Sequence, residues 1–390
     1  MNTHSVGSSS PSRAVDYVDP FIDTAKSSVC WTENVFVSRP FGMVRLSPNT
    51  DLKGTWGAGY SYRSKTIHNF SHLHAFQLAA VPVMPMTGAP GSPGAPGSLP
   101  DVSKFESAFR HETEIARPGY YAVDLDTHGV RAELTSTHRV GFHRYTFPDQ
   151  AAAYLLFNIG KELGPVEMTD AYAAQTAENE ISGYVENDIT HRHPKRCYIY
   201  FVARFQQPIA ALWGWRGDEQ PRRVEQISGK DCGFLVECEH RSGPVLLKVG
   251  ISYVSEEQSR LNLDTELPHW DFDALCQDSM ETWNDWLGRI EVEGGTITQR
   301  KRFYTNLWHA LWGGQTVSDV NGKYCVMTGA ERVIRQIPLD GDGRAVTVGR
   351  SRGNQMHERR FHPPQAMAND GHLAALAAKA CAEQLEPARR

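Results

Sequence analysis

Several patterns are missing from this sequence, and each absence narrows what the chain can be. No apolar run approaches the roughly 20 residues that cross a bilayer as a helix. No long basic run is present, and the formal charge is −5 at neutral pH, so neither nucleic acid nor an anionic membrane is expected as a partner. The seven cysteines, Cys30, Cys197, Cys232, Cys238, Cys276, Cys325 and Cys381, are odd in number and scattered, with no Cys-x-x-Cys among them. Free thiols in a reducing compartment are therefore expected. The opening, MNTHSVGSSSPSRAVDY, is polar and lacks the apolar centre of a secretory signal. It reads as a short disordered lead over residues 1–15, and a cytoplasmic location is expected. No repeat of fixed period suggests a solenoid.

What is present divides by periodicity. A chain of 390 residues has room for one large core or two, so two domains are expected. Between Phe105 and Val254 short strand patterns follow one another. Tyr121, Val123 and Leu125 alternate after a Pro118-Gly119 turn. Val130 to Val140 alternates with Ala132 and Leu134 on one face and Arg131, Glu133, Thr135 and Arg139 on the other, the pattern of a strand with one wet side. Tyr154–Phe157 and Tyr198–Val202 are continuous apolar runs, suited to strands covered on both faces. Val81–Met86 reads as an edge strand because prolines interrupt it, and Thr87–Pro100 as a Gly/Pro/Ser/Ala loop. Many strands without intervening helices predict an antiparallel β-sandwich over residues 16–254. The period changes at Ser255, where Ser255-Glu256-Glu257-Gln258 has the form of a capping box. Phe272, Cys276, Met280, Trp283 and Leu287 follow at helical steps, and Phe303, Leu307, Ala310 and Leu311 form a second apolar stripe that Gly313-Gly314 stops. Trp283, Trp286, Trp308 and Trp312 suit packing between helix and sheet better than sugar stacking.

The stretch from Phe36 to His74 concentrates the chemically distinctive residues. It opens on the turn Arg39-Pro40-Phe41-Gly42, in which proline fixes its own φ and Gly42 is the residue expected to take dihedrals that others avoid. Met43, Val44 and Leu46 then form a short strand pattern. Trp56-Gly57-Ala58-Gly59-Tyr60-Ser61-Tyr62 sets three aromatics among glycines, which suits either a Gly-kinked strand filling a core or a surface on which a sugar ring stacks. His72-x-His74 shares one strand face, but no carboxylate or cysteine stands at ligand spacing, so a zinc site is not expected.

Four motifs in order, Asp19-Pro20-Phe21-Ile22, Arg39-Pro40-Phe41-Gly42-Met43-Val44-Arg45-Leu46-Ser47-Pro48, Gly59-Tyr60-x-Tyr62 and Asn69-Phe70-Ser71-His72-x-His74, resemble the opening of glycoside hydrolase family 92. Lys301-Arg302-Phe303-Tyr304-Thr305-x-Leu307-Trp308-His309 and Asp319-x-x-Gly322-Lys323-Tyr324 resemble that family's helical linker. Two positions depart from the pattern: Asp23 stands where the family usually has glycine, and Ala75-Phe76-Gln77-Leu78 where it has a Leu-Ser-Gly-type loop. The resemblance implies calcium-dependent, inverting exo-α-mannosidases, whose N-terminal β-sandwich lends residues to a pocket built mainly by an (α/α)6 barrel. It covers about residues 16–340: sandwich to 254, linker helices over 255–340. Residues 341–390 form an atypical tail with one Ala-rich helix pattern near His372–Gln384 and no Trp-Asp-Thr motif, so the barrel is expected to be absent.

Inverting hydrolysis needs two carboxyl groups on opposite sides of the sugar. The resemblance assigns both, and most calcium ligands, to the barrel, so no catalytic or metal-binding residue is carried over to this chain. It does imply a share in binding an α-mannose-containing glycan, with Trp56 facing the terminal mannose and Tyr60, Arg45, His72 and His74 as further contacts. The expectation is an N-terminal carbohydrate-binding domain, from a truncated or frame-shifted chain and inactive alone. The alternative is a stand-alone binding or subunit module whose partner is a separate chain carrying the barrel.

Overall fold

The computed structural model describes residues 13–25, 35–52, 59–75, 78–88, 99–149, 151–161, 163, 166–190, 193–239 and 243–339. The expectations for Trp56, for most of the 87–100 loop and for the 341–390 tail lie outside these residues.

Two antiparallel sheets face each other. One runs in the spatial order Ser47–Asn49, Asn69–Ala75, Leu78–Thr87, Ala153–Phe157, Cys232–Cys238, Ile209–Arg216, Arg222–Arg223. The other has nine strands: Gln226–Ser228, Met168–Ala177, Glu180–Asn187, Cys197–Phe205, Val245–Ser252, Val140–Thr146, Val130–Ser136, Tyr120–Leu125 and Ile115–Arg117. Alternation puts Ala132, Leu134, Ile199, Phe201, Val249 and Ile251 of the second sheet inward, against Leu155, Phe157, Phe234 and Val236 of the first. The Phe157 and Phe234 rings stack at 4.5 Å on neighbouring strands. The fold is thus the expected β-sandwich followed by helices.

Four sequence expectations change. Leu78–Thr87 lies between two strands rather than at the sheet edge, but each half pairs on one side only, Leu78–Val83 with Asn69–Ala75 and Val83–Thr87 with Ala153–Phe157. Its prolines are tolerated because each has a neighbour strand on one side only, Pro82 facing Ser71 and Pro85 facing Leu155, while Val81, with φ +48, turns its carbonyl to the His72 side chain rather than to a backbone N–H. Val130–Val140 is a strand ending at Ser136 and the start of the next, joined by a turn in which Thr137 N–H bonds Val140 O at 2.9 Å. The outward side of that strand is wet only in part: Arg131 and Glu133 are partly exposed, whereas Thr135 is buried beneath the helices. Tyr198 and Tyr200 are not covered on both faces but lie partly exposed. Residues 13–15 are ordered rather than part of a lead, for Val15 is buried against the helices and Arg13 bonds Glu281 at 2.9 Å.

Three helices follow: α1 (Glu256–Glu266), α2 (Phe272–Leu287) and α3 (Ile297–Trp312). At Ser255 the side chain accepts from Gln258 N–H, while the reciprocal capping box is made at Thr296 with Gln299. Leu263 of α1, Leu267 just past its end, and Phe272 and Leu275 of α2 cover the outer face of the nine-stranded sheet at Val140, Phe142, Val202 and Leu246. A separate cluster joins Trp283, Trp286 and Leu287 of α2 to Phe303, Leu307, Trp308 and Leu311 of α3, with Val15, Tyr17 and Phe41. These three tryptophans therefore pack, as their spacing suggests. Among the described residues no helix is long and apolar enough to cross a membrane.

Candidate functional site

The Arg39–Pro48 motif is the joint between sandwich and helices. Phe41, not Gly42, holds the left-handed conformation, with φ +58. That strain is maintained by bonds on both sides: Phe41 N–H donates to Leu311 O at 3.3 Å, and Thr316 N–H donates to Phe41 O at 2.9 Å. The Phe41 ring meets Trp286 edge-on at 5.2 Å. Arg39 is buried and donates to Ser136 O (3.1 Å) and Asp278 O (3.0 Å), and also to the Asp278 carboxylate and the Thr282 hydroxyl. Arg45, fully buried, donates to Gly314 O at 3.0 Å and lies between the rings of Phe36 and Trp312. Asp23, at the family's glycine position, has φ +64, a conformation that aspartate tolerates better than most residues.

Past the strand Ser47–Asn49 the chain leads to the segment 53–58, which carries Trp56 and lies outside the described residues. Its neck is fixed: Thr50 and Asp51 N–H both donate to Gly59 O at 2.8 and 3.0 Å, and Gly59 N–H returns a bond to Asp51 O. Ser61 N–H donates to Thr50 Oγ1 at 2.8 Å. Tyr60, the next residue, points inward and is fully buried. Its hydroxyl donates to the Glu114 carboxylate, which also accepts from Tyr121 (2.5 Å) and contacts His111 Nδ1 (2.5 Å). The Glu114 side chain is itself wholly enclosed. Burial and this negative neighbour push both tyrosine hydroxyls well above their usual pKa.

Beside the loop neck is a cavity of about 360 Å³, whose walls include Leu52, Asn69, Phe105, Asn158, Lys161 and Asp231. Asn69 Oδ1 accepts from Asn49 Nδ2 at 2.6 Å, and the same amide donates to Ser71 Oγ at 2.8 Å. Asn158 Oδ1 is buried with no hydrogen-bond partner among the described residues. Size, mixed lining and a spare acceptor suit a small polar ligand.

His72 lies at the centre of the sandwich rather than at its edge. Its Nδ1 is 2.7 Å from Val81 O, which only accepts, so Nδ1 carries the proton. His72 Nε2 is then an acceptor, and His143 Nε2, 2.8 Å away on the opposite sheet, donates to it. His143 Nδ1 accepts in turn from the Tyr145 hydroxyl at 2.7 Å. The imidazoles fit because Gly141 has no side chain: a Cβ there would lie 2.7 Å from His72 Cδ2. Burial lowers the His72 pKa to about 4 and that of His143 well below its ordinary value, so both rings are neutral.

Three of the expected sugar contacts are therefore revised. Tyr60, Arg45 and His72 expose no side-chain surface and are committed to Glu114, to Gly314 and its flanking rings, and to Val81 with His143. They stiffen the ground behind the loop. His74 lies on the strand Asn69–Ala75, its side chain outside the described residues, as is Trp56. The sequence did not single out Glu114, His143 or Asn158, and it named Asn69 only as the start of a motif. Glu114 and His143 become conspicuous only when distant strands meet, whereas Asn69 and Ser71 are polar residues at alternate positions of one strand, a pattern that periodicity could have flagged. Among the described residues no three His, Cys, Asp or Glu side chains gather as metal ligands.

Two large antiparallel sheets, with paired helices leading out of the second, define a sandwich domain joined to a helical extension. Residues 17–252 match the glycosyl hydrolase family 92 N-terminal domain, and residues 258–336 match part of that family's catalytic domain. The chain belongs to glycosyl hydrolase family 92. A family 92 α-mannosidase of Bacteroides thetaiotaomicron superposes with a TM-score of 0.73 at 26% identity, covering 84% of this chain and 44% of its own. A second, inverting mannosidase of that organism shares the fold at a TM-score of 0.71 and 20% identity, covering 84% of this chain and 43% of its own. An uncharacterized secreted glycosidase of Arthroderma benhamiae is 23% identical over 327 residues, 76% of this chain and 40% of the relative. The chain spans less than half the length of each.

Proposed function

We propose that this chain is the carbohydrate-recognising part of a family 92 α-mannosidase, binding the terminal α-mannose of a glycan without hydrolysing it alone. The observation that carries the reading is the pre-formed cavity beside the rigid neck of the Trp56 loop, with the spare Asn158 acceptor in its wall. In this reading Trp56 stacks on the sugar ring, and Asn158 and Asn69 in the cavity wall hydrogen-bond its hydroxyls. The buried groups Glu114–Tyr60 and His72–His143 hold the surface in place.

Hydrolysis with inversion requires an acid and a base on opposite sides of the bond. Both, and the calcium that members of the family use, are assigned to a helical barrel, whether continuous with this chain or supplied by a partner. Stacking and hydrogen bonds from the sandwich act alike on ground and transition states, so they contribute affinity rather than rate. Titration calorimetry with methyl α-mannoside tests the binding role. Weak binding is expected, lost in Trp56→Ala and reduced at least about fivefold in Asn158→Ala. Binding unchanged in both variants would overturn it.

A further inference from the structure

A second aromatic surface lies away from the cavity and has no part in the function proposed above. Tyr172, Tyr184 and Tyr200 stand in register on three adjacent strands, Met168–Ala177, Glu180–Asn187 and Cys197–Phe205. Alternation places all three on the outer face of the nine-stranded sheet, while Ala171, Ala173, Val185, Ile199 and Phe201 point into the core. Tyr198 shares the outer face two positions before Tyr200. Ring centroids lie 6.0 Å apart for Tyr172–Tyr184 and for Tyr184–Tyr200, 5.6 Å for Tyr184–Tyr198 and 6.2 Å for Tyr198–Tyr200. All four are partly exposed. Together they make one continuous aromatic floor.

The floor is held rigid from its edge. The Tyr184 hydroxyl donates to Asp170 at 2.8 Å, and Tyr198 bonds Glu186. Thr169 donates to Glu186 at 2.8 Å, and Arg196 bridges Glu186 (3.0 Å) and Asp188 (3.4 Å). On the opposite side the start of α1 forms a wall, where Ser182 bonds Glu256, and the Arg332 guanidinium stands 5.7 Å from the Tyr200 ring centroid.

We infer that this trough is an accessory surface for a neutral glycan chain. Tyrosine rings offer flat apolar area at low entropic cost, suited to the C–H faces of sugars, while carboxylates along one edge accept from hydroxyls. The rim carries Asp170, Glu186 and Asp188 against Arg196, a balance that repels phosphate and other anionic ligands. A neutral, hydroxyl-rich polymer meets both the floor and the rim. The class of ligand rests on the carbohydrate reading above, but the surface does not depend on Trp56.

Affinity gel electrophoresis of the 390-residue chain in α-mannan, with xylan and β-glucan gels in parallel, tests the inference. Wild type is expected to be retarded by at least one of the three. Tyr184→Ala with Tyr200→Ala should weaken that retardation at least about tenfold, Tyr184→Phe should keep it, and Trp56→Ala should keep it while losing methyl α-mannoside binding. Circular dichroism and the urea midpoint confirm that the variants fold, with Tyr172→Ala/Tyr198→Ala as the second pair should the first prove unstable. Absence of retardation in wild type overturns the accessory surface, and so does full retardation in a folded double variant. Either result leaves the Trp56 reading to stand or fall on calorimetry.

Discussion

Lowering the pH from 7 to 5 should destabilise this fold through its buried imidazoles. His72, His138 and His309 each have a pKa lowered by burial from 6.5 to about 4. Unfolding releases them to the ordinary value, so between the two values the unfolded chain binds more protons than the folded one. Their contribution is complete above about pH 6.5 and is lost as the pH falls toward 4. Integrated from pH 7 to 5, each histidine costs about 2 kcal/mol. Asp319 opposes them, since burial raises its carboxyl from 3.8 to about 6. The folded chain therefore takes up that proton first, gaining about 1 kcal/mol at pH 5. The carboxylates lowered by arginine, Glu133, Glu180 and Glu266, titrate below their ordinary 4.5 and add little in this window. The net loss from these four groups is about 4–5 kcal/mol, a large part of a typical folding free energy, and His128 and His143, also lowered by burial, add to it. Urea unfolding followed by tryptophan fluorescence should show the midpoint falling by about 1 M or more between the two pH values. A midpoint unchanged within error would refute the assignment of His72, His138 and His309 as buried neutral rings.

The joint and the core supply further tests. Trp283→Ala empties a fully buried site and breaks the indole bond to Ser38 O, and should cost about 3–5 kcal/mol in chemical denaturation. Arg39→Met removes the bonds to Ser136 O and Asp278 and should cost about 2 kcal/mol, with faster limited proteolysis within 255–312 if the helices loosen. Glu114→Ala leaves the buried Tyr60 and Tyr121 hydroxyls without their acceptor, a loss of about 1–3 kcal/mol per hydroxyl that Glu114→Gln should largely restore. Gly183→Ala would put a Cβ 1.8 Å from Tyr172 O, so the two strands must part, at about 1–3 kcal/mol or more by thermal unfolding.

Periodicity made most of the architecture legible. The strands at Tyr120–Leu125 and Ala153–Phe157 and the helices α2 and α3 follow their apolar spacing closely. It fails where backbone chemistry outweighs pattern. The alternation from Val130 to Val140 runs straight through a turn, and prolines disguise a strand that joins two neighbours, because each proline lies where only one side is paired. The Arg39–Pro48 motif was conspicuous in the sequence, but its role was not, because its partners Asp278, Thr282, Leu311 and Gly314 lie more than two hundred residues downstream. For the same reason Tyr60, Arg45 and His72 looked like ligands: polar and aromatic residues near a glycine-rich loop suit a sugar and a buried network equally. The Glu114 cluster draws its donors from three separate segments, which spacing along the chain does not reveal.

The most direct test of the account is mannose release from α-linked mannobiose by the purified chain, with calcium present and no co-purifying protein. A positioned acid or base contributes about 10²–10⁴-fold in rate, so a chain that supplies binding without either should release mannose no faster than the buffer control while still binding methyl α-mannoside. Turnover above that control, abolished by chelation, would contradict it and place a complete active site within these 390 residues.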